Sequence, residues 1–153
     1  MAIEINKDIT TVEEGIIIHQ VNCQNRMGSG VARSLYLKYP IIKELYHKSF
    51  NRFSKEFLFG KIHFLRINKN LYIGNSYTQF DVGNLASQGV CYTDHEKLKH
   101  NILKSLNLAK EKGLKLYLPK YIGCGLAGGD WSEISQFIYE IDRDNNILIC
   151  TIE

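Results

Sequence analysis

Apolar and polar positions follow two different rhythms along this chain, and the switches between them mark its elements. In AIEIN, Ile3 and Ile5 alternate with polar neighbours, the period of an edge or half-buried strand. GIIIHQV, from Gly15, is a continuous apolar run suited to a central strand, ending near Asn22. VARSLYLKY then reads as a short helix that stops before Pro40, and IIKELYHKSFNRF carries helical spacing from Ile41. IHFLRI and NLYIGNSY return to strand. A longer helix follows: Thr93 and Glu96 stand at capping-box spacing, Leu98, Ile102, Leu106 and Ala109 recur on one face, and Gly113 closes it. KLYLP, WSEISQFIYEI and NILICTI complete the series as strand, helix and strand.

This alternation predicts an α/β protein, a three-layer α/β/α sandwich around a mixed, largely parallel sheet. Ligands of such folds lie beyond the carboxyl ends of central strands. Two glycine loops fall at such ends: RMGSGVAR (26–33) and GCGLAGG (123–129). Glycine there supplies a sharp turn, and bare amides at a helix start supply a cradle for phosphate. Spacing leaves both readings open for each loop, and neither loop has the GxxxxGK[ST] or GxGxxG pattern. The least structured stretch, TQFDVGNLASQGVCYT (78–93), has the length of a binding lid, with Phe80 and small residues placed to cover the site.

Composition changes this picture only by exclusion. At 153 residues, 44% hydrophobic and 23% charged, the chain is expected to form one domain over residues 1–153, with room for a monomer. A formal net charge of +3 from scattered residues argues against a sequence-specific nucleic-acid surface. No apolar run is long enough to span a bilayer, and MAIEINKDIT lacks a basic leader, so a cytoplasmic protein with no membrane partner is expected. Cys23, Cys91, Cys124 and Cys150 form no CxxC pair, which leaves neither a disulfide framework nor a metal site to argue from.

KDIT (7–10), HQVNCQNRMGSGVARSL (19–35) and PKYIGCGLAGGDW (119–131) resemble the macrodomain family of ADP-ribose-binding proteins, in an order spanning nearly the whole chain. The HQVNC and GCGLAGGDW forms are most similar to the Appr-1''-p processing branch, which contains ADP-ribose-1''-phosphate phosphatases and terminal ADP-ribose-protein glycohydrolases. The resemblance implies that Asp8 accepts a hydrogen bond from the adenine amino group, with Ile9 beside the ring, and that Asn22 faces the distal ribose. It implies that Gly28, Ser29, Gly30 and Val31 form one phosphate wall, and Gly123, Cys124, Gly125 and Leu126 the other, through their amides. For a phosphatase it implies His19 in catalysis, with Asp130 orienting or activating a water.

Each residue also has a plainer reading. Asp8 fits a turn, Asn22 can tie the loop backbone, and a histidine in an apolar strand fits a satisfied core position. Asp130 is three residues before Glu133, the spacing of a helix cap with a reciprocal glutamate. Trp131 reads as a core anchor, while Tyr77, Tyr92 and Tyr121 fit core or pocket.

One departure from the branch matters. Its terminal glycohydrolases use a lysine after the middle strand and an aspartate after the GCGL run, whereas YIGNSYTQF has no lysine and the other position is Ala127. The expectation is therefore a phosphoric monoester hydrolase converting ADP-ribose 1''-phosphate to ADP-ribose and phosphate. The alternative is a non-catalytic binder or sequestering module for ADP-ribose or a related NAD-derived nucleotide. A glycohydrolase with an ADP-ribosylated protein as partner ranks below both. No cofactor or metal is called for, since neutral amides can hold a diphosphate.

Overall fold

A computed structural model describes residues 1–152. The strands are β1 (Ile3–Asn6), β2 (Gly15–Asn22), β3 (Ile62–Asn68), β4 (Leu71–Gln79), β5 (Leu116–Pro119) and β6 (Ile147–Thr151). The helices are α1 (Gly30–Lys38), α2 (Ile41–Arg52), the single turn α3 (Lys55–Leu58), α4 (His95–Lys112) and α5 (Trp131–Ile141). One sheet runs in the order β1-β6-β5-β2-β4-β3, parallel throughout except for β3, which returns antiparallel to β4. This is the mixed, largely parallel three-layer sandwich that the alternation predicts.

The two rhythms of the sequence have their cause in this layering. β2 lies between β5 and β4 and is covered on both sides, so its run can be apolar without a break. Ile16 and Ile18 enter a core with Leu98, Ile102 and Leu106 of α4 and with Ile134 and Ile138 of α5. Ile17 faces the other way, into a core with Leu35 of α1 and Ile42 of α2. β1 lies at the sheet edge, and Ile3 is half exposed there, which accounts for its polar alternation.

Three local expectations change. The short α3 carries no periodic signal in its four residues. Phe80 packs against Phe59, with ring centroids 5.3 Å apart, in a third apolar cluster rather than over the site. α4 is capped by Asp94, whose Oδ1 accepts from the Lys97 amide at 2.9 Å, and not by Thr93. Both residue types cap well; the Thr93 hydroxyl is instead committed to Gln20 and to the carbonyl of Gly123. Gly113 closes α4 in the left-handed conformation, as its position predicts.

Asp94→Ala should therefore lower the free energy of unfolding by about 1 kcal/mol through loss of the cap. Urea denaturation followed by circular dichroism checks this, and an unchanged midpoint would contradict the assignment of the cap.

Candidate functional site

Strands β2 and β5 deliver their carboxyl ends side by side, and the loops that leave them enclose a cleft of about 420 Å³. Gly28, Ser29, Gly30 and Val31 border it on one side, and Gly123, Gly125, Leu126 and Ala127 on the other. Among the described residues, the amides of Gly28, Ser29, Gly30, Val31, Gly123, Gly125, Leu126 and Ala127, all bordering the cleft, have no protein acceptor. Asp94 and Asp130 cap the starts of α4 and α5, but Ser29 at the start of α1 makes no side-chain cap. The positive end of α1 is thus left open toward the cleft.

Two of the bordering glycines are not explained by the fold itself. A Cβ added at Gly28 or Gly125 would meet nothing within 4 Å, and neither residue has a left-handed backbone. Their bareness keeps the backbone open to the cleft.

Gly123 and Gly129 answer to the chain's own geometry. Gly123 has a φ of +71°, and a Cβ at Gly129 would fall 2.4 Å from the Gly123 carbonyl oxygen. The Gly129 amide donates to that same carbonyl at 2.9 Å, and the Thr93 hydroxyl donates to it at 2.6 Å. Gln20 reaches Thr93 at 2.9 Å through Nε2 and accepts from the Thr78 hydroxyl at 2.8 Å. The Tyr92 amide donates to the carbonyl of Ala127 at 2.7 Å, so the 78–93 segment is stitched along the second loop. Val82 and Gly83 from that segment border the cleft.

The first loop is held by Asn22 and Tyr46. A register irregularity between Val21 and Asn22 re-aims the end of β2. Asn22 Nδ2 donates to the Arg26 carbonyl at 2.7 Å, and its Oδ1 accepts from the Gln24 amide at 3.0 Å. Buried Tyr46 donates its hydroxyl to Asn22 and accepts from the Arg26 amide, both within 3.0 Å.

His19 is buried at the cleft floor, its ring nitrogen Nε2 2.6 Å from Asn75 Oδ1. The Asn75 amide nitrogen points to the Ile42 carbonyl, so the atom facing His19 is an acceptor and Nε2 carries the proton. Nδ1 is then a buried lone pair with no partner among the described residues. Burial pushes the pKa of His19 down to about 4 against a smaller upward pull from Asn75, so the ring is neutral at pH 7.

The structure thus brings His19, Asn22, Gly28, Ser29, Gly30, Val31, Gly123, Gly125 and Leu126 around one cavity. Four further candidates lie outside its lining. Asp8 caps a one-turn 3-10 helix and accepts from the amide and hydroxyl of Thr10, which hold its carboxyl below the usual range; Oδ2 is left for another donor. Ile9 is buried in the core on the α1 side. Cys124 does not offer the free amide expected of the second wall: its amide donates to the Tyr121 carbonyl at 2.7 Å, its thiol turns to the Ile122 carbonyl, and burial pushes that thiol up to about 12. Asp130 caps α5, but Glu133 does not reciprocate: it pairs with Lys99 at 2.9 Å, and the Asp130 amide donates to His95 Nε2 at 2.8 Å.

Among the described residues the cleft is lined by no carboxylate and by two cations, Arg26 and Lys120. Lys120 is paired with Glu4 at 3.1 Å. Gln20 and Thr93 brace the second loop and Arg26 borders the cleft, roles that no local spacing marks beyond an arginine standing before a glycine loop. Tyr121 is the aromatic residue that borders the cleft, edge-on to Trp131, while Tyr77 is fully buried in the core. Among the described residues no cluster of side chains suits a metal ion, and no helix is long and apolar enough to cross a membrane.

No protein-family model matches the sequence. The ADP-ribose 1''-phosphate phosphatase of Candida glabrata is 30% identical over 159 residues, covering 88% of this chain and 88% of that protein. The macrodomain of Mycobacterium tuberculosis DarG has the same fold, with a TM-score of 0.78 at 19% identity over 100% of this chain and 99% of its own. Thermosipho africanus DarTG in complex with ADP-ribose matches with a TM-score of 0.72 at 18% identity, over 97% of this chain and 41% of its own. Common architecture and a relative aligned along most of both chains lead to one conclusion: the chain belongs to the macrodomain family, in its Appr-1''-p processing branch.

Proposed function

We propose that the chain binds ADP-ribose 1''-phosphate in this cleft and hydrolyses it to ADP-ribose and phosphate. The observation that carries the reading is the set of eight amides without acceptors among the described residues, spread over two facing loops whose Gly28 and Gly125 are bare for no internal reason. A diphosphate between the loops would supply acceptors to both, with the open end of α1 adding a favourable field. The spare oxygen of Asp8 suits the adenine amino group, with Ile9 beside it, and the second amide hydrogen of Asn22 suits a ribose hydroxyl. The Candida glabrata relative, whose name states this reaction, supports the same ligand.

His19 is the group proposed to act on the water. In this reading a water reaches the buried Nδ1, which takes a proton as the water oxygen bonds to phosphorus; the bond from phosphorus to O1'' breaks, and the imidazolium returns the proton to O1''. A base titrating near 4 is a weak acceptor at neutral pH, so slow turnover belongs to this reading. Asp130 serves it by capping α5 and so holding the end of the second loop. A second reading, binding without turnover, is favoured by one observation: no carboxylate lines the cleft among the described residues. Release of a bound protein substrate by a lysine adduct is not proposed, since the cleft's lysine, Lys120, is held by Glu4 and Ala127 borders the site where that branch has aspartate.

Calorimetric titration with ADP-ribose, with AMP as control, followed by phosphate release from ADP-ribose 1''-phosphate, separates the readings. Binding with release is expected, and binding without release would establish the second reading instead. His19→Ala should lower kcat by about a hundredfold or more while leaving the dissociation constant for ADP-ribose within about threefold. Unchanged kcat would remove His19 from the chemistry.

The same histidine sets a pH dependence of stability. It titrates near 6.5 when unfolded and near 4 when folded, so between those values the unfolded chain binds more protons. The stability it contributes above pH 6.5 is lost as pH falls through that window, by about 3 kcal/mol in all. His47 and His63 are shifted down as well, each chiefly by burial, so the comparison to make is with His19→Gln. Urea midpoints from pH 7 to pH 4 should fall less steeply in that variant, and equal slopes would contradict the assignment.

A further inference from the structure

Arg26 has a fixed backbone and an uncommitted side chain. Its amide donates to the buried Tyr46 hydroxyl at 3.0 Å, and its carbonyl accepts from Asn22 Nδ2 at 2.7 Å. Met27, the next residue, is buried in the apolar cluster around Tyr46 and Tyr77. The chain is therefore held on both sides of Arg26, and the guanidinium projects from a rigid point. Among the described residues no carboxylate pairs with it and no side chain or carbonyl accepts from it. Yet Arg26 borders the cleft, which among the described residues no acidic side chain lines and whose other cation is paired with Glu4.

Its place along the cleft is set by its neighbours. Arg26 follows the end of β2, bonds Asn22 through its carbonyl, and precedes the loop amides that begin at Gly28. Under the proposed orientation, with adenine toward Asp8 and the diphosphate between the loops, this is the distal-ribose end. We propose that Arg26 is a specificity-determining residue: it recognises a phosphate monoester carried beyond the distal ribose, and so makes the site select ADP-ribose 1''-phosphate over ADP-ribose. A terminal monoester has a charge near −2 and three acceptor oxygens, and guanidinium offers two parallel donors to such a group. Neutral amides serve a diphosphate equally well in both ligands; the extra dianion needs a cation, and Arg26 is the unpaired one in the cleft.

This inference rests on the ligand reading above, and its test is arranged so that the two fail differently. Wild type, Arg26→Gln and Arg26→Lys are titrated with ADP-ribose and compared on ADP-ribose 1''-phosphate, by kcat/KM where phosphate is released and by dissociation constant where it is not. Expected in wild type is tighter recognition of the 1''-phosphate. Arg26→Gln should weaken that recognition by roughly ten- to a hundredfold, with ADP-ribose affinity changed less than about twofold, and Arg26→Lys should recover part of the loss. Equal losses for both ligands would show that Arg26 serves the diphosphate or the loop, and no loss for either would show that it serves neither; both results overturn the proposal. Failure of wild type to bind either ligand would instead overturn the ligand reading, and this inference with it.

Discussion

Burying β2 on both faces is the constraint from which the rest of the structure follows. A parallel strand in the middle of a sheet must be covered by helices above and below, and Ile16, Ile17 and Ile18 divide themselves between two such cores. Its chain must then leave the sheet abruptly to reach α1 on one side, and β5 must do the same to reach α5 on the other. Each exit passes through a glycine loop at the same end of the sheet, so two sets of free amides face one another across a single cleft. The bare-amide character of the site is in this sense a by-product of the layering, kept open where capping side chains would otherwise have closed it.

What distinguishes this cleft from a generic pair of turns is how much of the polar chemistry is spent on holding the loops still. Thr93, Gln20 and Thr78 form a relay from β2 and β4 to the Gly123 carbonyl, and Tyr46 with Asn22 does the corresponding work on the first loop. Binding by amides depends on backbone placed before the ligand arrives, because a loop ordered on binding loses part of the gain as entropy. The side chains behind the loops carry that placement, and the glycines in front leave it accessible.

The elements were legible in the sequence because their periods are set by burial, and burial is what the fold then shows. The edge position of β1 follows from Ile3 and Ile5 alternating with polar residues, and the central position of β2 from its unbroken run. The details that sequence misassigned are those decided by competition for one group. Thr93 and Asp94 are adjacent and both suited to cap α4; the third partner, the Gly123 carbonyl, is 30 residues away in sequence and takes the threonine. Likewise Glu133 has the spacing to reciprocate Asp130, but Lys99 claims it and His95 takes the free amide. Arg26 carries no such mark for a related reason: its side chain lacks a partner among the described residues, and that is a property of the folded surroundings.

The facing loops are the centre of this account, and backbone amides report on them directly. In a ¹H–¹⁵N correlation spectrum of the labelled protein titrated with ADP-ribose, the largest shifts should fall on the amides of Gly28, Ser29, Gly30, Val31, Gly123, Gly125, Leu126 and Ala127, with both loops saturating along one binding curve. Shifts confined to one loop, or centred away from both, would contradict a cleft built to hold a diphosphate between two walls of bare backbone.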